Sequence, residues 1–118
     1  HFWNDFAADP KHSVPEADRQ FYARTYGQPG RMAAGFEYFH AFPQDAEDFA
    51  GFAKTPLKMP MLVLAGERAS GAFLIEQAKL VATNVNSVTM KGSGHWLMEE
   101  APDATMTELV RFINASAQ

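Results

Sequence analysis

The turn at residues 92–96, Gly-Ser-Gly-His-Trp, carries a histidine that could transfer protons. Residues 85–90 before it alternate as in a strand, and residues 102–113 after it carry apolar side chains at helical spacing. Open α/β sheets place their chemistry on such loops, at the carboxyl ends of strands. A free imidazole titrates near neutral pH, which suits general acid–base catalysis. His95 is therefore the candidate catalytic residue, and the alternative is a histidine that only hydrogen-bonds a backbone carbonyl.

Two strands and the helix between them are predicted to position this turn. Residues 61–65 are apolar throughout, which is typical of a strand in a parallel sheet that is covered on both faces. A helix over residues 71–83, with Ser70 as its cap, leads from this strand to the strand before the histidine turn. Such a β-α-β unit is right-handed, and it brings the loop at residues 66–71 to the same edge of the sheet as the histidine turn.

Helices are predicted for most of the first half of the chain. Ser13 and Glu16 form a capping-box pattern, which starts the first helix. Two further helices are expected over residues 31–42 and 43–54, since a proline such as Pro43 is typical of a helix start. The predicted inner faces, including that of the last helix, carry Ala17, Phe21 and Thr25; Met32, Phe36 and Phe39; Ala46, Phe49, Ala50 and Ala53; and Met106, Leu109, Val110 and Ile113.

These segments resemble the end of the α/β-hydrolase fold. Gly-x-Gly-His-Trp, followed by paired glutamates, Ala-Pro and an amphipathic helix, resembles the region around that family's catalytic histidine, and Lys-Met-Pro-Met-Leu-Val-Leu-Ala-Gly-Glu at 58–67 resembles its penultimate strand. The resemblance is closest to the epoxide hydrolase and haloalkane dehalogenase branch. It implies an α/β fold class: a C-terminal fragment of an α/β-hydrolase, with a helical cap segment at residues 1–57 and a β-α-β-α unit of the parallel core sheet at residues 58–118.

The resemblance implies hydrolysis through a covalent ester, in which His95 activates water or shuttles a proton. The implied substrate is a small hydrophobic epoxide, halide or ester. The family's nucleophile lies on a tight turn such as Gly-x-Ser-x-Gly or its aspartate counterpart, and neither occurs in this sequence. We therefore expect the chain to be the later part of a hydrolase and to be inactive alone. The alternatives are a serine esterase, and a non-catalytic remnant or interaction module of the same fold.

The acid of the catalytic triad departs from the family pattern. The family's usual run Gly-Glu-x-Asp would place its aspartate at Ala69, and alanine cannot orient an imidazole. Three alternatives stay open: the acid follows the strand before the cap and lies outside this chain, Glu67 substitutes for it, or the triad is incomplete. We favour the first, because Glu67 belongs to the turn at the strand end and is as easily a solvated surface acid.

Aromatic residues are the candidates for substrate binding. In epoxide hydrolases a tyrosine of the cap helix donates a hydrogen bond to the epoxide oxygen, and the aligned position here is Phe39, which has no hydroxyl. The neighbouring Tyr38 points about 100° away on a regular helix. Phe36, Tyr38, Phe39 and Trp96 together imply an apolar cavity. The competing interpretation is that Tyr38 is a core or surface residue and that Trp96 only fills the core.

Composition excludes several other classes of function. The net charge is −4 and no run of Lys or Arg occurs, which argues against nucleic-acid binding. The longest strongly apolar run, residues 61–65, is far shorter than the roughly 20 residues of a membrane span. The four histidines, His1, His12, His40 and His95, lack metal-ligand spacing, so no metal or other cofactor is predicted. The expected partners are the small hydrophobic substrate and either the missing N-terminal part of the hydrolase or another copy of the chain. The sequence, which has no cysteine, does not determine the compartment, although a cytoplasmic location is favoured.

Overall fold

A computed structural model describes residues 2–116, apart from the side chains of Phe2 and Ser116. The sequence-based statement about His1 therefore concerns a residue outside the described part. The elements in chain order are α1 (Phe2–Asp5), α2 (Glu16–Tyr26), α3 (Arg31–Phe52), β1 (Met61–Gly66), α4 (Gly71–Val81), β2 (Val85–Met90), α5 (Leu97–Glu100) and α6 (Pro102–Ser116). In the described residues, no helix is both long enough and apolar enough to cross a bilayer.

The chain divides into two compact units. The first comprises the residues up to Val14 and those from Pro56 onward, and the second is Pro15–Thr55. The sequence grouped the first fourteen residues with the helices that follow, whereas in the structure they belong with the later segment. A long-range hydrogen bond joins these two segments, because the carbonyl of Phe6 accepts the amide of His95 at 2.8 Å. The assignment of residues 1–57 to a cap and 58–118 to a hydrolase core stays a prediction.

A parallel pair of strands forms the centre of the first unit. β1 and β2 pair in register from Met61 opposite Val85 to Gly66 opposite Met90, and α4 connects them. The apolar run of β1 is partly covered, with Val63 and Ala65 buried, and Met90 is buried at the end of β2. The α/β class predicted from the sequence is therefore correct, and each strand lies where its hydrophobic pattern predicted.

The second unit consists of α2 and α3. The prediction of separate helices over residues 31–42 and 43–54 is wrong, because α3 continues through Pro43. Proline removes one backbone hydrogen bond from a helix interior. Its would-be acceptor, the carbonyl of Phe39, lies on an exposed stretch where water can replace that bond. Neither helix contains a buried residue, so the predicted inner stripe of Met32, Phe36 and Phe39 lies half-exposed.

Three smaller expectations about helices are also wrong. The capping box is not formed, because Pro15 occupies the N-cap of α2 and makes no side-chain bond, while the Ser13 hydroxyl accepts the Asp9 amide at 2.9 Å. Ser70 makes no side-chain cap to α4, which ends at Val81. On α6, Thr105 is buried because its hydroxyl donates to the carbonyl of Leu97 at 3.2 Å. The predicted inner residues Met106, Val110 and Ile113 are exposed, and Leu109 is half-buried.

Candidate active site

His95 lies in the connection between β2 and α5, with its side chain exposed. Its backbone amide donates to the carbonyl of Phe6 at 2.8 Å. Its ring packs edge-on against Trp96, with centroids 4.7 Å apart, and lies 5.8 Å from the ring of Phe6. The imidazole is thus reachable from solvent while its backbone is held on one side.

Two glycines allow the loop to pack closely against its neighbours. A Cβ added at Gly66, the last residue of β1, would overlap the carbonyl group of Gly94. A Cβ added at Gly94 would overlap the amide of Ala8 and lie 2.6 Å from the carbonyl oxygen of Phe6. Both positions therefore require glycine. The strand end, the histidine loop and the N-terminal segment meet backbone to backbone at this point.

The carboxylate of Glu100 accepts hydrogen bonds from the same loop. Its Oε2 accepts the amides of Gly94 at 2.9 Å and Ala8 at 2.8 Å, and the hydroxyl of Ser13 at 3.2 Å. Its Oε1 accepts the amide of Trp96 at 3.0 Å. One half-buried carboxylate therefore satisfies donors from both the histidine loop and the segment that precedes α2.

The environment of Glu100 favours its ionised form. Burial, the largest single influence, disfavours the charged carboxylate and would raise the pKa of Glu100. The hydrogen bonds from the Gly94, Ala8 and Trp96 amides act in the opposite direction, and so does the bond from the Ser13 hydroxyl. Together they lower the pKa of Glu100 below the ordinary glutamate value. Glu100 is therefore an acceptor for its donors at neutral pH.

Glu67 occupies the turn directly after β1 and is exposed. Its Oε2 accepts the amide of Gly92 at 2.8 Å. Within residues 2–116, the His95 imidazole forms no hydrogen bond with a carboxylate, and Ala69 lies exposed in the same turn as Glu67. That the triad acid lies outside this chain stays a prediction.

Trp96 packs on the N-terminal segment beside His95. Its indole Nε1 donates to the carbonyl of Trp3 at 3.0 Å, and the two indole rings lie 4.4 Å apart. The other predicted substrate-binding residues, Phe36, Tyr38 and Phe39, lie on α3 in the second unit, where the Tyr38 side chain is 78% exposed. Within the first unit, Trp96 and His95 lie side by side.

The sequence patterns did not identify Glu100 as a site residue, and they grouped the N-terminal segment with the helices that follow it. A signal for Glu100 was present, because a glutamate four residues after Trp96 lies in the first helical turn after a glycine-rich loop, where free amides need acceptors. No comparable signal marked Phe6 or Ala8, because Phe6 bonds to His95 through its carbonyl and Ala8 bonds to Glu100 through its amide, and every residue type except proline carries both groups. Within the described residues, no three His, Asp or Glu side chains are arranged to hold a metal ion.

Known proteins are similar to this chain over most of its length. No family model matches the sequence. Epoxide hydrolase B of Mycobacterium tuberculosis, from each of two strains, is 31% identical over 103 residues, which make up 83% of this chain and 29% of that protein. The chain therefore spans less than a third of the length of these relatives.

Two solved structures share the fold. Cfl2 wild-type from Burkholderia cenocepacia superposes with a TM-score of 0.82 at 31% identity, over 94% of this chain and 38% of that one. The epoxide hydrolase CorEH without ligand superposes with a TM-score of 0.84 at 24% identity, again over 94% of this chain and 38% of that one. The chain thus carries part of an epoxide hydrolase-like fold, which confirms the resemblance found in its sequence motifs.

Proposed function

We propose that this chain forms the later part of an epoxide hydrolase and supplies its catalytic histidine, His95. The observation that carries the proposal is an exposed imidazole on a tightly held loop after a parallel strand, in a chain similar to Epoxide hydrolase B over 83% of its length. In this proposal residues 1–57 belong to the cap, and the nucleophile comes from a part of the whole protein outside this chain. The 118-residue chain alone is then inactive.

The proposed reaction has two steps. A carboxylate nucleophile attacks a ring carbon of the epoxide, the carbon–oxygen bond of the ring breaks, and the released oxygen takes up a proton, which leaves a hydroxyalkyl ester. His95 then takes a proton from a water molecule whose oxygen attacks the ester carbonyl carbon. The tetrahedral adduct collapses to the carboxylate and a diol, and His95 releases its proton, which replaces the proton that ring opening took up. The sum of the two steps is addition of one water molecule to the epoxide.

Aromatic side chains support a small hydrophobic substrate. Phe36 and Phe39 on α3 offer apolar ring surface, and so does Trp96 beside His95; we propose that each of these rings contacts the substrate in the whole protein. Tyr38 carries a hydroxyl and is adjacent in sequence to Phe39, the position at which the family's tyrosine would align. An epoxide is preferred over a halide or an ester because both Epoxide hydrolase B and CorEH carry the name of that activity.

The test is a substrate panel combined with isotope labelling on the whole protein. Styrene oxide, 1-bromobutane and p-nitrophenyl butyrate are offered to the wild type and to His95→Gln. We expect turnover of the epoxide, and we expect a single turnover in H₂¹⁸O to yield unlabelled diol, because the added oxygen then comes from the enzyme's carboxylate. Label in the first diol would exclude the covalent ester.

The remaining outcomes separate the competing functions. Hydrolysis of the p-nitrophenyl ester without epoxide turnover would favour the serine esterase. Turnover of none of the three substrates would favour a non-catalytic module. Hydrolysis of the epoxide by the 118-residue chain alone, lost in His95→Ala, would contradict the proposal that the nucleophile lies elsewhere.

A further inference from the structure

We propose that Glu100 is the positioning residue for the catalytic loop, holding the backbone on both sides of His95 and coupling it to the N-terminal segment. The inference rests on the proposed function, in which His95 is the base. Glu100 does not act on substrate in this scheme. It acts through the loop, by determining where the imidazole stands.

The two oxygens of the Glu100 carboxylate accept hydrogen bonds from different peptide groups of the loop. Oε2 accepts the amide of Gly94 at 2.9 Å, and Oε1 accepts the amide of Trp96 at 3.0 Å. These are the residues immediately before and after His95. A single rigid carboxylate therefore fixes the peptide groups that flank the histidine, and with them the direction in which its Cα–Cβ bond points.

The same carboxylate also joins the loop to the N-terminal segment through hydrogen bonds. Glu100 also accepts the amide of Ala8 at 2.8 Å and the hydroxyl of Ser13 at 3.2 Å. Two residues before Ala8, the carbonyl of Phe6 accepts the amide of His95 at 2.8 Å. The histidine backbone is thus bound to the N-terminal segment directly through Phe6 and indirectly through Glu100.

The four hydrogen-bond partners of Glu100 favour an ionised carboxylate at this position. All four partners are donors, so the site needs a group that only accepts, which an ionised carboxylate is and a glutamine amide is not. The lowered pKa of Glu100 agrees with that requirement. The shallow groove that Glu100 lines also carries the acids Asp9 and Glu99, the base Arg68, and His12. They do not replace Glu100, because its oxygens are the acceptors at the Gly94 and Trp96 amides.

The experiment compares Glu100→Gln with graded variants in the whole protein. We expect Glu100→Gln to lower kcat by about ten- to a hundredfold, the scale for misplacing a catalytic group by about 1 Å, and to leave KM within about twofold. Glu100→Asp keeps the charge on a shorter side chain and should recover part of kcat. Ser13→Ala removes one of the four donors and should have the smallest effect.

Two controls separate positioning from general loss of stability. Glu108→Gln makes the same chemical change at a surface ion pair with Arg111 and should leave kcat unchanged. Val63→Ala destabilises the buried strand β1 away from the loop, and at an equal loss of thermal stability it should keep kcat. Hydrogen-exchange mass spectrometry should show faster exchange in Glu100→Gln for peptides covering residues 94–101, with the sheet unchanged.

The outcomes distinguish this inference from the proposed function. Absence of epoxide turnover in the wild type would overturn the proposed function, and the exchange data would then decide alone whether Glu100 anchors the loop. Wild-type turnover with kcat unchanged in Glu100→Gln would overturn the positioning role. So would a fall in kcat that Val63→Ala reproduces at equal stability. If Glu100→Gln does not fold, Glu100→Asp and Ser13→Ala carry the same comparison.

Discussion

The histidine loop and the helices of residues 15–55 are held in opposite ways. The loop is short and irregular, yet backbone groups from Gly94 to Trp96 are bonded to Phe6 or Glu100, and Ser93 and Gly94 are buried. Helices α2 and α3 are regular, yet they contain no buried residue. Regular secondary structure and burial therefore do not coincide in these two regions.

This difference identifies where single substitutions should act strongly. In the loop each change removes or obstructs contacts with several partners, because strand end, turn and N-terminal segment meet there. In α3 the phenylalanines contact mainly each other at the surface, as Phe39 and Phe42 do with centroids 5.3 Å apart. We therefore expect large effects on catalysis and stability from the loop, and smaller effects from the helices.

The largest expected effect is that of His95→Gln. Without the base, kcat in the whole protein should fall by on the order of a thousandfold or more, the scale for losing a member of a catalytic triad. Steady-state kinetics with styrene oxide measures this, with circular dichroism to show that the fold is intact. A variant that keeps more than about a tenth of wild-type kcat would remove His95 from the mechanism.

A pair of glycine substitutions tests the packing difference directly. Gly66→Ala forces a methyl group into the carbonyl of Gly94 and should destabilise the protein by about 1–3 kcal/mol, the usual cost of overpacking. Gly51→Ala lies in α3, where a Cβ meets nothing within 4 Å. That change should stabilise the helix by up to about 1 kcal/mol, because alanine is the better helix former. Chemical denaturation measures both, and equal effects at the two sites would contradict the comparison.

Glu100 should contribute to the pH dependence of the free energy of unfolding in the acidic range. Because its folded-state pKa is lowered, the ionised carboxylate stabilises the fold above the ordinary glutamate pKa, and this contribution is lost as the pH falls through the lowered value. The difference in unfolding free energy between wild type and Glu100→Gln should be constant above about pH 5 and shrink below it.

Asp9 titrates in the same acidic range, since the hydrogen bond from His12 lowers its pKa as well. Taking the difference between wild type and Glu100→Gln cancels the contribution of Asp9, and Asp9→Asn provides the check. A difference that grows on acidification would have the wrong sign and would contradict the assigned pKa shift of Glu100.

Substitutions on α3 should affect substrate binding more than the chemical step. Phe39→Ser removes a half-exposed ring, so thermal stability should change little, while KM for styrene oxide should rise several-fold if the ring lines the cavity. Tyr38→Phe distinguishes the roles of the neighbouring hydroxyl. A fall in kcat of more than about tenfold would show that Tyr38 assists ring opening, and no change would leave it a surface residue.

The smallest expected effect is that of Glu67→Gln. Its exposed carboxylate accepts the Gly92 amide, whereas an acid that orients histidine must lie about 2.6–3.2 Å from the imidazole. We expect kcat to stay within a few-fold of wild type. A loss approaching that of His95→Gln, with the fold intact, would instead place the triad acid at Glu67.

Much of the first unit was determined by the sequence alone. The apolar run at 61–65 and the alternation at 85–90 predicted β1 and β2, because a hydrophobic period acts over a few neighbouring residues and needs no distant partner. The same local logic placed His95 after β2 and marked the motif that relates the chain to epoxide hydrolases. It was less reliable at Pro43, where the cost of one lost hydrogen bond was too small to end α3.

Only the tertiary structure decided how the loop is held. The bonds that Glu100 makes with Ala8 and Ser13 span 92 and 87 residues, and no local pattern specifies a pairing at that distance. Ser13 illustrates the conflict, because its hydroxyl accepts the Asp9 amide and donates to Glu100 instead of capping α2. Sequence therefore determined which residue could do chemistry, and long-range packing determined which carboxylate accepts the amides on either side of it.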